Sequence, residues 1–490
     1  MKLINSKYLS DRKNEIIKIT LLILCYFGLC VFLNFATDTY VVFDAGFKGA
    51  GKDMLLRNGR PIIGLFYYLF DILKISNENV YRVSAVLSLI FLELAIFIYS
   101  NQLIKYIENE NIRILISFVS VANLYIIEYF MFIEKFGFML AILLNVIAAC
   151  KMNEFFRERK KHSYIQAIVC SILSALTYQG VMALYIILCM PLVFVYAKSI
   201  KTYITNLLLL IVPYCVSAAM TILLFLFTGS KRTSLNEGYL ANLKHTVSAF
   251  LHFLYDTFGL MPKFFVGGVF LLILAVILLL AMKCDDKVLR LLHLMIMVIV
   301  AVIFPLATLL QGSGWNAMRV VYPLASIIGM LLLELAINYN NEINRISSIK
   351  NAVNAVLIIF LAFQYISFNK IYIDKNKNDM ADMVRAQFIG SEIREYESTT
   401  GNKIKKIAFY YDSSPSYPCY SGLYYNRDMV VSLFYTHWSD VLGINYYLQE
   451  EYRKSEPSEK YKEYFSEFNW NSISSEQLVF EKDTLHICNY

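Results

Sequence analysis

The run IIKITLLILCYFGLCVFLNF, residues 16–35, holds a single charge, Lys18, and is followed at once by Ala36-Thr37-Asp38-Thr39-Tyr40. A helix rises about 1.5 Å per residue, so a run of this length crosses the roughly 30 Å of a bilayer's hydrocarbon layer. The basic cluster before it (Lys2, Lys7, Arg12, Lys13 and Lys18) is also what a signal peptide carries. The apolar run is long, however, and no small-residue cleavage site follows, so it reads as a retained first span. Comparable runs recur at Val80–Tyr106, Ile112–Phe132, Phe136–Phe155, Tyr164–Tyr178, Gly180–Ala197 and Tyr203–Phe227. Phe264–Met282, Val288–Leu310, Val320–Tyr339 and Ala352–Phe368 complete about eleven expected spans.

Composition agrees with that reading. Of 490 residues, 58% are hydrophobic, 17% charged and 15% aromatic, and the mean hydropathy is +0.51. Soluble domains carry about 25% charge. Intrinsic disorder, a secreted disulfide scaffold and a cytosolic enzyme are excluded. The net charge is only +7 and the basic residues gather at the ends of apolar runs, which marks membrane topology and no nucleic-acid partner. Cys25, Cys30, Cys150, Cys170, Cys189, Cys215 and Cys284 lie in or beside the runs as small hydrophobes, and no cysteine or histidine spacing suits a metal.

Arg157, Arg159, Lys160 and Lys161 fall on one side of the expected spans with Lys198, Lys201, Lys283, Lys287, Arg290, Arg345 and Lys350. The positive-inside rule makes that side cytoplasmic and puts the N-terminus inside. An odd span count then places residues 369–490 outside, where Cys419 and Cys488 are the only cysteines. From Lys370 the chain turns polar, with β-like runs at Lys406–Tyr411, Met429–Phe434 and Thr484–Asn489. Helical patterns at Asp379–Glu397 and near Glu450–Phe468 alternate with them. The expected fold is an all-α polytopic membrane protein, residues 1–368, with a small C-terminal extracytoplasmic α/β domain, residues 369–490.

Two outer loops are long, 36–79 and 228–263, and the first contains an amphipathic stretch at Ile62–Leu73. Both carry bases on the side the topology rule disfavours: Lys48, Lys52, Arg57 and Arg60, then Lys231, Arg232, Lys244 and Lys263. An anionic ligand at the outer membrane boundary accounts for such charges. A transporter places ionisable groups at the bilayer midplane. Here only Glu93 and Glu334 approach it, and the others gather at the outer ends: Asp38, Asp44, Lys52, Asp53, Arg57, Arg60, Glu128, Glu134, Lys135, Asp256 and Arg319. Acids and arginines at one interface suit chemistry on a lipid-linked phosphate. Glycosyl transfer to a hydroxyl needs a carboxylate to take the proton and arginine to hold the leaving phosphate.

Several motifs occur in order. An Asp follows the first span, then Asn58-Gly59-Arg60-Pro61, then Leu124-Tyr125-Ile126-Ile127-Glu128-Tyr129-Phe130 with Glu134. Thr177-Tyr178-Gln179 and Met318-Arg319-Val320-Val321-Tyr322-Pro323 complete the set. Together they resemble the bacterial O-antigen glucosyltransferase (Gtr-type) membrane family, within the wider GT-C class, over roughly residues 16–340. The resemblance implies a GT-C-like fold and transfer of a sugar, glucose or another hexose, from a polyprenyl phosphate to a cell-surface polysaccharide. It places the reaction on the outer face of the bacterial plasma membrane. It implies a catalytic carboxylate in the first outer loop, a role that falls on Asp38 with Asp44 as the second candidate. Members often show two adjacent acids there, whereas Thr39 follows Asp38 in this chain. A companion polyprenyl-phosphate sugar synthase and a flippase are the implied partners, beside the lipid bilayer.

Two readings stand for each candidate. Asp38 is either the base or the cap of a span, and Arg60 either grips phosphate, with Lys52, Arg57 and Arg319 beside it, or anchors to lipid headgroups. Arg319 has snorkelling to the interface as its other reading. Glu128 and Glu134 either shape an acceptor pocket or cap helix ends. Tyr178 and Gln179 form either a sugar contact or a structural turn. Tyr40 and Trp315 are further sugar-binding candidates. No cofactor is implied, and His245, His252 and His293 are scattered. Two other functions share the span pattern: a polysaccharide polymerase or ligase, and a lipid-linked glycan flippase or transporter.

Overall fold

Along the helix Ile200–Thr228 the buried residues are Tyr203, Asn206, Leu210, Pro213, Ser217, Thr221 and Phe225. Ile204, Leu208, Val212, Leu223, Leu226 and Phe227 are exposed. Polar and small groups inside with branched apolar groups outside is the reverse of a water-soluble helix, and it fits a helix surrounded by lipid. The structure, a computed structural model, describes residues 12–197, 199–229, 239–307, 317–339, 347–411, 430–466 and 474–489. Among these, six helices are long and apolar enough to cross a membrane: Lys13–Val31, Asn77–Leu103, Lys135–Glu158, Ile200–Thr228, Lys287–Leu306 and Asn351–Thr400.

The other expected spans are shorter or interrupted, and the interruptions have local causes. The run 112–132 is helical only over Glu110–Val121 and Ile126–Tyr129. Asn123 lies between them: its side-chain oxygen accepts from the Tyr125 N–H at 2.9 Å, the local bond by which Asn competes with a helix. Its amide donates to the Tyr322 carbonyl at 3.0 Å and to Ser326 Oγ at 2.8 Å. The run 320–339 breaks at that same Ser326, into Tyr322–Ala325 and Ile327–Asn338. The two breaks therefore satisfy each other, and Gln364 donates to the freed Ala122 carbonyl at 2.7 Å. Backbone groups freed by such breaks are tolerated where protein covers them and supplies partners. Gly329 packs so close to the first of these helices that a Cβ would lie 2.6 Å from Ser120 Cα. Leu184–Phe194 and Ile327–Leu335 are buried throughout, the protein-facing counterpart of the lipid-facing helices.

The chain divides into two compact units. The first comprises Met1–Val31, Ala50–Phe130 and Glu134–Phe368; the second comprises Phe32–Gly49, Met131–Ile133 and Asn369–Tyr490. The expected loop 36–79 is thus shared between them and is itself helical, over Thr37–Leu56 and Pro61–Ile72. The later loop, 228–263, contains the helix Tyr239–Tyr255.

The last expected span does not end near residue 368: one helix runs unbroken from Ser347 to Thr400 and absorbs the separate helix expected at 379–397. In the second unit four strands, β1 (Lys406–Tyr411), β2 (Arg453–Lys454), β3 (Leu478–Glu481) and β4 (Thr484–Asn489), form a sheet ordered β2-β1-β4-β3. β1 pairs parallel with β2 and with β4, from Lys406 opposite Thr484 to Tyr411 opposite Asn489, and β3–β4 is an antiparallel hairpin. Ala408, Tyr410, Tyr461, Phe465 and Cys488 form its core on one side; Cys419 lies outside the described residues.

Two expectations fail here. Of the strand read at 429–434, the described part carries a 3-10 turn, Leu433–Tyr435. Asp382 accepts the Leu433 N–H at 2.9 Å and Ser432 Oγ that of Phe434 at 3.2 Å, so the donors a strand would offer a neighbour are already used. The helix read near 450–468 is confined, among described residues, to Glu459–Ser466. Pro457 disfavours helical backbone before it, and Arg453–Lys454 joins the sheet instead.

Candidate active site

The helix Thr37–Leu56 opens, in its part within the second unit, with Asp38 in its first turn, and Gly46 at φ +65° kinks it after Asp44. Asp38 and Asp44 are both exposed. Asp38 Oδ1 accepts the Trp438 indole N–H at 3.1 Å, from a residue 400 positions away. Tyr40 is buried; its hydroxyl meets that of Tyr447 at 2.9 Å, and its ring packs against Phe35 and Tyr446. Burial, reinforced by Tyr447, pushes the Tyr40 phenol well above its ordinary value. Tyr40 is therefore a permanently protonated strut for the helix that presents Asp38.

The first unit holds the arginines. Gly59 at φ +62° turns the chain so that Arg60 precedes Pro61 at the start of Pro61–Ile72. Gln179 Nε2 fixes this turn by donating to the Gly59 carbonyl at 2.6 Å. The Arg60 guanidinium stacks 4.6 Å from the Tyr178 ring centre, within cation–π range. Glu134 stands 3.9 Å away as an ion-pair partner, and among the described residues the buried Arg60 Nε has no hydrogen bond. Tyr67 donates to the other Glu134 oxygen at 3.4 Å. Next to Glu134, the buried Lys135 Nζ sits over the Tyr81 ring at 3.5 Å and reaches the Cys30 carbonyl at 3.4 Å.

Arg319 is held differently. Its guanidinium ion-pairs directly with the buried Glu128, and its backbone N–H donates to the same carboxylate at 2.5 Å. Its carbonyl accepts from Tyr129 at 2.7 Å and Tyr178 at 3.3 Å. Gly180 lets the 178–181 turn approach, since a Cβ there would lie 2.6 Å from the Arg319 carbonyl oxygen. Arg60, Tyr178, Arg319, Glu128 and Gln179, far apart in sequence, thus form one connected cluster. Lys52 is exposed, and Arg57 is exposed and paired with Asp53 at 3.4 Å. Trp315 lies outside the described residues.

The sequence reading missed Trp438, Tyr67 and Tyr129. Tyr129 stood inside a quoted motif; Trp438 carries no spacing signal, only its rarity as one of three tryptophans. Among the described residues no three His, Cys, Asp or Glu side chains gather as metal ligands would. No family model and no curated protein matches the sequence.

Proposed function

We propose that the chain is a bacterial plasma-membrane glycosyltransferase of GT-C-like architecture that moves a hexose from a polyprenyl phosphate to a surface polysaccharide. In this reading about eleven segments lie in the membrane, the N-terminus is cytoplasmic and residues 369–490 are outside. The acceptor hydroxyl attacks the anomeric carbon, its proton passes to Asp38, and the carbon–oxygen bond to phosphate breaks with inversion. The polyprenyl phosphate leaves with its bonding electrons. Preorganised charge and positioning carry such a step, because a phosphate leaves with little need of protonation.

The observation that carries the reading is Arg60. A half-buried guanidinium whose buried Nε has no hydrogen bond among the described residues, with a carboxylate at 3.9 Å, leaves a donor that an anion would complete. A transporter reading finds less support, because buried Glu334 has its hydrogen bonds closed inside the protein. Asn338 donates to it at 2.7 Å, and His293, itself bonded to Tyr203 at 2.9 Å, meets it at 3.2 Å. The test is a mass comparison of surface polysaccharide from cells with and without the protein. Loss of one side-chain hexose supports transfer. Loss of polymer length turns the reading to a polymerase or ligase, and loss of all surface glycan to a flippase.

A further inference from the structure

We propose that Trp438 is the platform on which the acceptor sugar stacks, and that its indole N–H positions the Asp38 carboxylate for that sugar's hydroxyl. This deepens the transferase reading and rests on Asp38 as the base. The second unit alone supplies the observations. Trp438 is 44% exposed, and its N–H is spent on Asp38 Oδ1 at 3.1 Å. Asp38 Oδ2 makes no hydrogen bond among the described residues. A pyranose presents one face of C–H groups and a rim of hydroxyls. An exposed indole beside a carboxylate oxygen matches both, the ring by apolar contact and the hydroxyl by a charge-assisted bond.

The pair is also held in place. Tyr40, two residues after Asp38, bonds Tyr447 at 2.9 Å, and Phe43 stacks on Tyr446 at 5.3 Å, so the Asp38 helix is fastened to Asp440–Leu448, the helix that starts two residues after Trp438. The turn bearing Trp438 is closed by Ser439 N–H and Asp440 N–H on the Thr436 carbonyl, at 2.9 and 3.1 Å. Lys454 pins it from the sheet, bonding the His437 carbonyl and the Asp440 carboxylate, the latter at 2.8 Å. A surface tryptophan without a role has no need of this anchoring. The assignment gives the C-terminal unit a function: it builds the acceptor side of the base.

The experiment uses the full chain in lipid nanodiscs, with polysaccharide purified from cells lacking the protein as the probe. Trp438→Phe keeps a ring and removes the N–H; Trp438→Ala removes both. The expected result is a split: Trp438→Phe lowers kcat with acceptor KM near wild type, and Trp438→Ala also raises acceptor KM by about tenfold. Donor KM stays unchanged in both. The polysaccharide should also change intrinsic fluorescence in wild type and not in Trp438→Phe. Asp38-dependent transfer with acceptor KM unmoved in Trp438→Ala overturns the platform and leaves the transferase reading standing. Absence of any transfer, with the Trp438-dependent fluorescence change intact, removes the transferase reading and leaves a saccharide site.

Discussion

Two arginine–glutamate pairs lie in one cluster and differ in how tightly they are closed. Arg319 and Glu128 are closed on each other, side chain and backbone together, and both are buried. Arg60 and Glu134 stand 3.9 Å apart, with the Arg60 Nε vacant and its plane resting on Tyr178. A closed buried pair has already spent its charge on the fold, whereas an open pair keeps donors for a ligand. Residue type alone does not separate the two. Both arginines are candidates for phosphate in the sequence; the proposal keeps Arg60 for that role, while Arg319 ties residues 318–322 to the 126–129 helix.

The largest effect should follow from breaking the closed pair. Glu128→Ala leaves Arg319 buried without its counter-charge, at a cost of about 3–5 kcal/mol. Yield and thermal stability of the detergent-solubilised chain should fall sharply. A Glu128→Ala protein with wild-type stability would show that the pair does not hold the fold.

Next in size is the proposed base, Asp38. Asp38 is exposed, so Asp38→Asn should leave folding and insertion unchanged while turnover drops at least about a hundredfold. Near-normal transfer at matched protein levels transfers the role to Asp44, and Asp44→Asn measured beside it decides. Arg60→Lys tests the open pair directly. Lysine cannot reproduce the planar fork, so apparent donor affinity should fall by about tenfold with little change in thermal stability. If Arg60→Lys destabilises the chain as Glu128→Ala does, the distinction between open and closed pairs is lost.

How much of this was legible depended on the range of the interaction. Periodicity and apolar length are local, and they located the long helices and the two paired strands Lys406–Tyr411 and Thr484–Asn489. The helix breaks at Asn123 and Ser326 were hidden because each residue is harmless alone; only their meeting, 203 positions apart, makes the interruption stable. The polar turn in composition after residue 368 reads as a boundary, yet one helix runs from Ser347 to Thr400, because a helix tolerates a change from apolar to charged surroundings along its length. The candidate residues near Arg60 were findable as charges on the disfavoured side of the membrane. Which of them keeps donors was not, because that turns on distances across the cluster. Trp438 was beyond reach, since nothing in its neighbourhood points to Asp38.

A third acid–base pair, in the C-terminal sheet, extends the comparison to its weak end. His486 Nε2 stands 3.7 Å from Glu481 and has no hydrogen bond among the described residues; its Nδ1 faces the Tyr410 hydroxyl at 2.9 Å, and its ring stacks on Tyr461. Burial outweighs the attraction of Glu481, and Lys460 opposes it further, so the imidazole is pushed below its ordinary 6.5 and stays neutral in the folded sheet. The sign follows from linkage. The unfolded chain binds the proton more readily, so the contribution of His486 is present above about pH 6.5 and is lost as pH falls through the depressed folded value. Amide exchange of β4 in the full chain, corrected for intrinsic rates, should therefore speed up between pH 7.5 and 5.5, and His486→Phe should flatten that dependence. Slower exchange at the acid end would mean that Glu481 prevails after all, and that even a pair as loose as this one is closed by charge.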